Sequence, residues 1–340
     1  MIAPLAFGDS WMWSAWQPAR AMSFNSYLFR SGDGLVAVDP LEADGEVLEW
    51  MASLGGVHTI VITNRDHQRA APSLASRFRC RIVDAAKDGE EVFPGAFAVP
   101  VPFGKSPEFA VHLRAYHAAI IGDALIGSPA GSLSLLPDEK LEDPQRFVFA
   151  LRRIWGLQLE ALLLGDGQPL FSGADALLGA LLEKRGGAAV NRINLDELTF
   201  APRGGPEKYV CEDGEAGLLI GARQLGYRVV RIAPGKAFCP LHWHEANEEF
   251  FYVMEGTPSI RTGRGTIVCR PGDFIAFPCG ERGAHQVINE SARQCLVLLA
   301  GMNQTLEACF YPDSNKVMVQ REAGRLLVRS SPAIGYFDGE

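Results

Sequence analysis

Two histidines one residue apart, His242 and His244, are followed by Glu249 and, beyond a Pro271-Gly272-Asp273 turn, by His285. Side chains alternate across a β-strand, so residues two apart share a face, and both imidazoles can enter one cavity while Trp243 points away. Asn247 and its neighbours read as a turn, after which Glu249 opens the apolar run Phe250-Phe251-Tyr252-Val253-Met254, and Gly256 suits a positive φ. Pro271-Gly272 fits the two central positions of a type II turn. Phe274 to Phe277 then read as a buried strand, Pro278-Cys279-Gly280 breaks it, and His285, Val287 and Asn289 follow at period two. Three imidazoles and a carboxylate delivered in this way are enough donors to hold a metal ion. Nitrogen and oxygen donors suit Fe(II), Mn(II), Ni(II), Co(II) or Zn(II), and an octahedral ion so bound keeps two open positions. A redox-active ion would support dioxygenase chemistry, whereas Zn(II) would polarise a carbonyl for isomerisation or epimerisation.

The arrangement resembles the two-part signature of the cupin superfamily, a double-stranded β-helix barrel. Gly235, His242, His244, Glu249 and Gly256 fill its first part, and Gly272, Pro278, Gly280, His285 and Asn289 its second. Gly235 precedes the first histidine by one residue more than the commonest spacing, and Gly280 precedes His285 by two more. Both insertions fall in turns. The resemblance runs from about Asn194 to the C-terminus, through Tyr311-Pro312-Asp313-Ser314 and the closing Tyr336-Phe337-Asp338-Gly339-Glu340, and is similar to a group of small single-barrel bacterial cupins. It implies His242, His244, Glu249 and His285 as metal ligands. Some members of that group carry sugar-phosphate-isomerase labels.

The neighbours of these residues shape the cavity. Phe251 and Val253 share the Glu249 face, so its wall reads as apolar and suited to small organic substrates. Tyr227 and Arg231 share one face of the preceding strand, and the orientation of that face decides whether a cation enters the pocket. Cys239 lies an odd number of residues from His242 and is expected to face the other way. Cys279 sits in a turn. Packing or surface roles are expected for both.

The first half of the chain has another rhythm. Asn25 to Asp39 reads as two strands meeting at Ser31-Gly32-Asp33-Gly34, and Asp44 to Gly56 as a helix with Val47, Met51 and Leu54 on one face. Thr59 to Thr63 reads as a buried strand. Asp143 caps a second helix with Pro144 in its first turn, the stripe Phe147, Leu151, Ile154 and Trp155, and Gly156 at its end. Leu162 to Leu164 is strand-like, and Leu177, Leu178, Leu181 and Leu182 form a further helical stripe. Alternating strands and helices imply helix-covered sheets. Over about residues 1 to 186 the order of landmarks resembles the metallo-β-lactamase fold, an α/β αββα sandwich.

The chemistry of that family is largely replaced. Its T-H-x-H-x-D-H segment aligns onto Thr63-Asn64-Arg65-Asp66-His67-Gln68-Arg69, so Asn64, Asp66 and Arg69 stand where it has histidines and Gln68 where it has Asp. Lys105 replaces the next ligand, and Asp166 the last. Only Asp123 matches. The cations Arg69 and Lys105 would repel a divalent ion, although His67, Asp66, Asp123 and Asp166 could form a rearranged single-metal site. Failing that, the domain is a scaffold, an interface or a ligand sensor, with Arg69 and Lys105 available to an anion.

At 340 residues the chain suits two domains, read as 1–186, a linker at 187–206, and 207–340, with the boundary near 187–193. Hydrophobic residues at 47% and a mean hydropathy of +0.04 allow a sizeable core in each. A net charge of −8 without a basic cluster argues against nucleic acid as a partner. No apolar run is long enough to span a membrane, the start lacks the pattern of a secretory signal, and seven scattered cysteines fit reduced thiols, so a cytoplasmic location is expected. The expected partner is a small molecule, and a homodimer is the expected assembly, with Trp11, Trp13 and Trp16 offering either contact or core. Three functions follow: a metal-dependent enzyme of dioxygenase or isomerase type, a non-catalytic metal-anchored ligand-binding or regulatory module, and a hydrolase using the N-terminal site.

Overall fold

The computed structural model describes residues 2–101, 108–321 and 324–330. Lys105 and the closing 336–340 segment lie outside them. The chain divides into two compact units, Met1–Arg192 and Ile193–Glu340.

In the first unit, strands buried on both faces produce a four-layer sandwich. Met22–Ser31, Gly34–Val38, Val57–Val61 and Arg81–Val83 are neighbours in one half of the sheet, and Ala161–Gly167, Ala118–Gly127, Glu108–Leu113 and Ala96–Val101 in the other. Alternate side chains pack two ways. Tyr27, Phe29, Val36, Val38 and Val61 meet Val111, Ile120 and Leu163 in the layer between the halves. Their sequence neighbours Leu28, Leu35, Ala37 and Ile60 turn outward onto Met51 and Leu74 of helices Gly45–Ser53 and Ala71–Phe78. On the other side Ile121, Leu162 and Leu164 meet Phe147, Leu151, Ile154, Leu178 and Leu182 of helices Pro144–Trp155 and Ala174–Gly186. This is the αββα arrangement, and double burial explains the near-continuous apolar runs in its strands.

Local chemistry sets the helix ends. Asp44 and Asp143 each accept a backbone N–H, from Val47 and Arg146, at 2.9 Å, satisfying donors that the first turn leaves free. Gly55 ends the first helix at φ +93°, where an added Cβ would lie 1.9 Å from the Asp33 carbonyl oxygen, so only glycine fits. Trp13 is buried, Trp11 stacks edge-on with Trp50 at 5.1 Å, and Trp16 is exposed, so the tryptophan-rich strand Ser10–Gln17 is partly core and partly surface. Residues 187–206, read as the linker, are shared between the units. Val190 is fully buried in the first, while Ala201–Arg203 pairs with Cys211–Glu215 in the second.

The second unit is almost all strand. A six-stranded sheet runs in the order Ala201–Arg203, Cys211–Glu215, Leu225–Ile232, Cys295–Met302, Glu249–Glu255, Phe274–Phe277. A three-stranded sheet orders Gly265–Val268, Ser259–Thr262, His285–Ile288, and a four-stranded one Trp243–His244, Glu307–Tyr311, Lys316–Arg321, Gly324–Arg329. Val230, Ile232, Phe251, Val253, Val287, Val297 and Leu299 fill the interior. Register then locates the site. Phe251 lies opposite Leu299 and Val253 opposite Val297 in that core, while Glu249, on the same face, lies opposite Gly301 at the strand's start. Glycine at 256 has φ +79° and at 272 φ +96°, the left-handed turns expected there. Phe274–Phe277 differs from expectation: it is an edge strand, with Phe277 buried but Phe274 73% exposed, because it pairs on one side only. Among the described residues, no helix is long and apolar enough to cross a membrane.

Candidate metal centre

The four residues singled out in the second unit come together. His242 forms a bridge pair with His285, which joins two chain segments distant in sequence, and Trp243–His244 pairs with Glu307–Tyr311. Trp243 does face away, stacking on Phe310 at 4.0 Å. Glu249 Oε2 lies 3.0 Å from His285 Nε2, 3.5 Å from His244 Nε2 and 3.9 Å from His242 Nε2.

Backbone carbonyls orient two of the rings. His242 Nδ1 is 3.0 Å from the Pro240 oxygen, and His285 Nδ1 is 2.9 Å from the Gly283 oxygen. A neutral imidazole donating from Nδ1 presents a lone pair at Nε2. Gly283 is needed for this, since a Cβ there would lie 1.8 Å from the Pro278 oxygen and displace the carbonyl that holds His285. Aromatic packing completes the support: Phe277 stacks on His285 at 3.8 Å and Phe251 meets it edge-on at 5.2 Å. Of the wall expected from Phe251 and Val253, Phe251 meets a donor ring, and Val253 packs in the adjoining apolar core.

Electrostatics favour a cation at the centre. Burial and the neighbouring His285 push His242 down to about 4, leaving it neutral. Burial would raise Glu249, but interaction with His285, then His244 and His242, brings it down to about 2, so it is a carboxylate. Glu249 Oε2, His285 Nε2 and both nitrogens of His244 are buried without a hydrogen-bond partner. Each such group costs about 1–3 kcal/mol. A proton between His285 Nε2 and Glu249 Oε2, 3.0 Å apart, satisfies that one pair, whereas a divalent ion among the converging atoms satisfies all of them, so the donor set fits such an ion.

The strand Glu307–Tyr311 adds residues that the sequence reading did not connect to the site. Glu307, Cys309 and Tyr311 share one face at period two. Glu307 Oε1 lies 3.6 Å from His244 Nδ1 and accepts the Glu245 N–H at 2.9 Å, and the Tyr311 ring stacks over His242 at 5.9 Å. The alternation was visible, but its partner strand was not. Cys239 is buried, in keeping with the packing role expected of it, and is pushed up to about 12 by burial and then by the charge of Glu249. On the Leu225–Ile232 strand, Arg231 turns outward onto Phe200 at 3.5 Å, whereas Arg228 shares the inward face of Val230 and Ile232 and donates to Asp213 Oδ2 at 2.9 Å. Asn289 is buried away from the donors, its Nδ2 donating to the Ile232 and Arg293 oxygens at 2.7 Å each.

The first unit gathers His67, Asp123 and Asp166, while Asp66 is exposed and stays out of the cluster. A register shift after Ile121 lifts Asp123 out of the parallel pairing, and Asp39, at φ +48°, accepts from His67 Nδ1 at 2.7 Å and from Thr63 Oγ1 at 2.6 Å. His67, Asp123 and Asp166 offer donor atoms within 4.8 Å of one another, but a guanidinium stands among them. Arg69 Nη2 lies 3.0 Å from Asp166 Oδ1 and 3.2 Å from His67 Nε2, and its Nη1 donates to the Asn25 oxygen at 2.8 Å. Burial opposes charge on His67, but Asp39 and Asp123 outweigh burial and raise it to about 10. Arg69 pairs with a carboxylate, Asp166, that would otherwise serve an ion. Burial and Asp123 push Glu108 up to about 8, although it also accepts from Asn64 Nδ2 at 3.1 Å.

Comparison with known proteins agrees with both halves. Residues 2–184 match the metallo-beta-lactamase superfamily and residues 228–301 the cupin domain. No curated protein matches the chain. Among solved structures, a candidate sugar phosphate isomerase from Acidithiobacillus ferrooxidans aligns at 22% identity and TM-score 0.41, covering 43% of this chain and 96% of that one. A cupin-superfamily sugar phosphate isomerase from Silicibacter pomeroyi aligns at 25% and 0.39, covering 43% and 98%. The polyketide cyclase RemF from Streptomyces resistomycificus aligns at 20% and 0.29, covering 33% and 79%. By its match over more than half its length, the chain belongs to the metallo-beta-lactamase superfamily, and it carries a cupin domain at residues 228–301.

Proposed function

We propose that the C-terminal barrel is a metalloenzyme site for a small organic molecule, with His242, His244, Glu249 and His285 holding one divalent transition-metal ion. The observation that carries this reading is the convergence of buried, unpartnered donor atoms on Glu249 Oε2. When bound, the ion supplies Lewis-acid polarisation of a substrate oxygen, and a redox-active ion adds a place for dioxygen.

The chain's own residues do the rest. Pro240 and Gly283 fix the ring orientations of His242 and His285 through their carbonyls, and Glu307 stands against His244 Nδ1. The two carbonyl partners keep the Nε2 atoms of His242 and His285 aimed inward. Phe251, Phe277 and Val253 exclude water from one side of the cavity, which strengthens every polar interaction inside it. Isomerisation or epimerisation of a carbonyl compound and oxygenation of an enediol or catechol are the reactions such a pocket serves. The N-terminal unit is non-catalytic in this reading, because Arg69 occupies its cluster.

Elemental analysis of the purified protein, beside His242→Ala and His285→Ala variants, tests the reading. About one equivalent of a transition metal in the parent and a loss in both variants is expected, followed by dioxygen uptake or isomerisation across a panel of enediols, catechols and keto acids. A parent protein that takes up no transition metal from Mn, Fe, Co, Ni or Zn salts would refute it.

A further inference from the structure

Cys309 stands directly across the ladder from His244, in the antiparallel pairing of Glu307–Tyr311 with Trp243–His244. Opposed residues on one face have Cβ atoms about 4.5–5.5 Å apart, so both side chains reach into the same space. The Cys309 Sγ and one ring nitrogen from each of His242 and His244 lie within 4.8 Å of one another. Donors sharing one ion, at about 2.1 Å for imidazole and about 2.3 Å for thiolate, are at most about 4.4 Å apart, close to the 4.8 Å within which these three atoms lie. Cys309 is free and only 1% exposed.

A buried cysteine is most often a small hydrophobe. Three cysteines of this unit behave that way: Cys211, Cys269 and Cys295 belong to its apolar core cluster. Cys309 does not belong to it. Its surroundings are instead polar and electron-rich, with His244 opposite and unpartnered at both nitrogens, Glu307 two residues before it on the same face, and His285 Nε2 and Glu249 Oε2 buried without partners in the same cavity.

We propose that Cys309 is a fifth ligand of the barrel's ion, joining His242, His244, Glu249 and His285. This rests on the reading that the barrel holds a metal. On binding, the S–H bond breaks, its proton leaves to solvent and a metal–sulfur bond forms, with no change of oxidation state. Two consequences follow. Two anionic donors, Glu249 and the thiolate, balance a divalent charge, so the buried centre is neutral. An octahedral ion then keeps one open position instead of two, and a soft donor shifts preference toward Zn(II) or Co(II) and away from Mn(II). That selects polarisation of a single substrate oxygen over side-by-side binding of a chelating substrate and dioxygen, and points to carbonyl compounds undergoing isomerisation as the substrate class.

The test is spectroscopic and uses the full chain. Metal-free protein loaded with Co(II) is expected to show a near-ultraviolet thiolate-to-cobalt charge-transfer band, which Cys309→Ser abolishes while retaining visible cobalt bands and Cys239→Ser leaves intact. X-ray absorption of the Zn(II) form of the unmodified protein, which needs no variant to fold, is expected to show a sulfur scatterer at about 2.3 Å. One equivalent of metal bound with nitrogen and oxygen scatterers only, or a charge-transfer band that survives Cys309→Ser, overturns the proposal and leaves the metal site standing. Failure of the parent protein to bind Co(II) or Zn(II) overturns both.

Discussion

Replacing Arg69 by Met removes the charge from the N-terminal cluster while keeping an apolar stem against Phe24, over whose ring the guanidinium lies at 4.9 Å. The side chains of Arg69 and Asp166 are 10% and 7% exposed, so water screens the pair little. Breaking a buried ion pair by removing one partner costs about 3–5 kcal/mol, because the remaining charge stays buried. Here Asp123, already held below its usual range by His67 and Arg69 against burial, loses one of its two cationic neighbours as well. The loss should appear as a melting-temperature drop of about 10 °C in a domain of this size. Tryptophan fluorescence reads it selectively, since Trp11, Trp13, Trp16, Trp50 and Trp155 lie in the first unit and Trp243 alone in the second. Zn(II) should then restore much of the stability of Arg69→Met, because His67, Asp123 and Asp166 keep donor atoms within 4.8 Å of one another. An unchanged melt, no uptake of a second equivalent by the variant, or a second equivalent already present in the parent and lost on Asp123→Asn would refute the idea that guanidinium and imidazolium stand in for metal.

Three further outcomes are expected. His67, raised from 6.5 to about 10, contributes stability that is fully present below pH 6.5 and is lost as pH rises through about 10, so denaturant midpoints of the first unit should fall between pH 7 and 10 and do so less in His67→Gln; a flat profile in the parent contradicts this. Gly283→Ala should weaken metal affinity about 10–100-fold in a titration with a competing chelator, because the displaced carbonyl no longer orients His285; unchanged affinity would show that the carbonyl is dispensable. Asn289→Ala leaves the Ile232 oxygen, in a buried contact, without its Nδ2 donor, so the barrel should lose about 1–3 kcal/mol by urea denaturation while metal stoichiometry is unchanged; a loss of metal would make Asn289 part of the centre.

Elements with strong local signals were legible, whereas the short helix Ala71–Phe78 was not. The Pro144–Trp155 helix has its cap, its proline and its apolar stripe within one short segment, and the structure returns the same bounds. His242 and His244 needed only the period of a strand. Asn64 and Arg69 stand where the family resemblance puts histidines, which is the basis for expecting changed chemistry in the N-terminal unit. Residues whose importance lies in a distant partner were not legible. Cys309 and Glu307 became neighbours of His244 only through strand register, and the face left open for Arg231 was settled by packing: Arg231 turns outward onto Phe200, while Arg228 shares the face of Val230 and Ile232. Phe274 reads as core but lies on an edge, a distinction set by which strand is absent beside it.

The amino-acid order by itself determined the donor types, their strand periodicity and the replacement of the lactamase-type histidines, because these depend on side-chain chemistry and on backbone geometry over a few residues. Tertiary structure alone decided which charges meet. Arg69 neutralises Asp166, His67 takes its proton between Asp39 and Asp123, and three imidazoles converge on Glu249, since Coulomb energy and desolvation depend on distances that only the packed chain establishes.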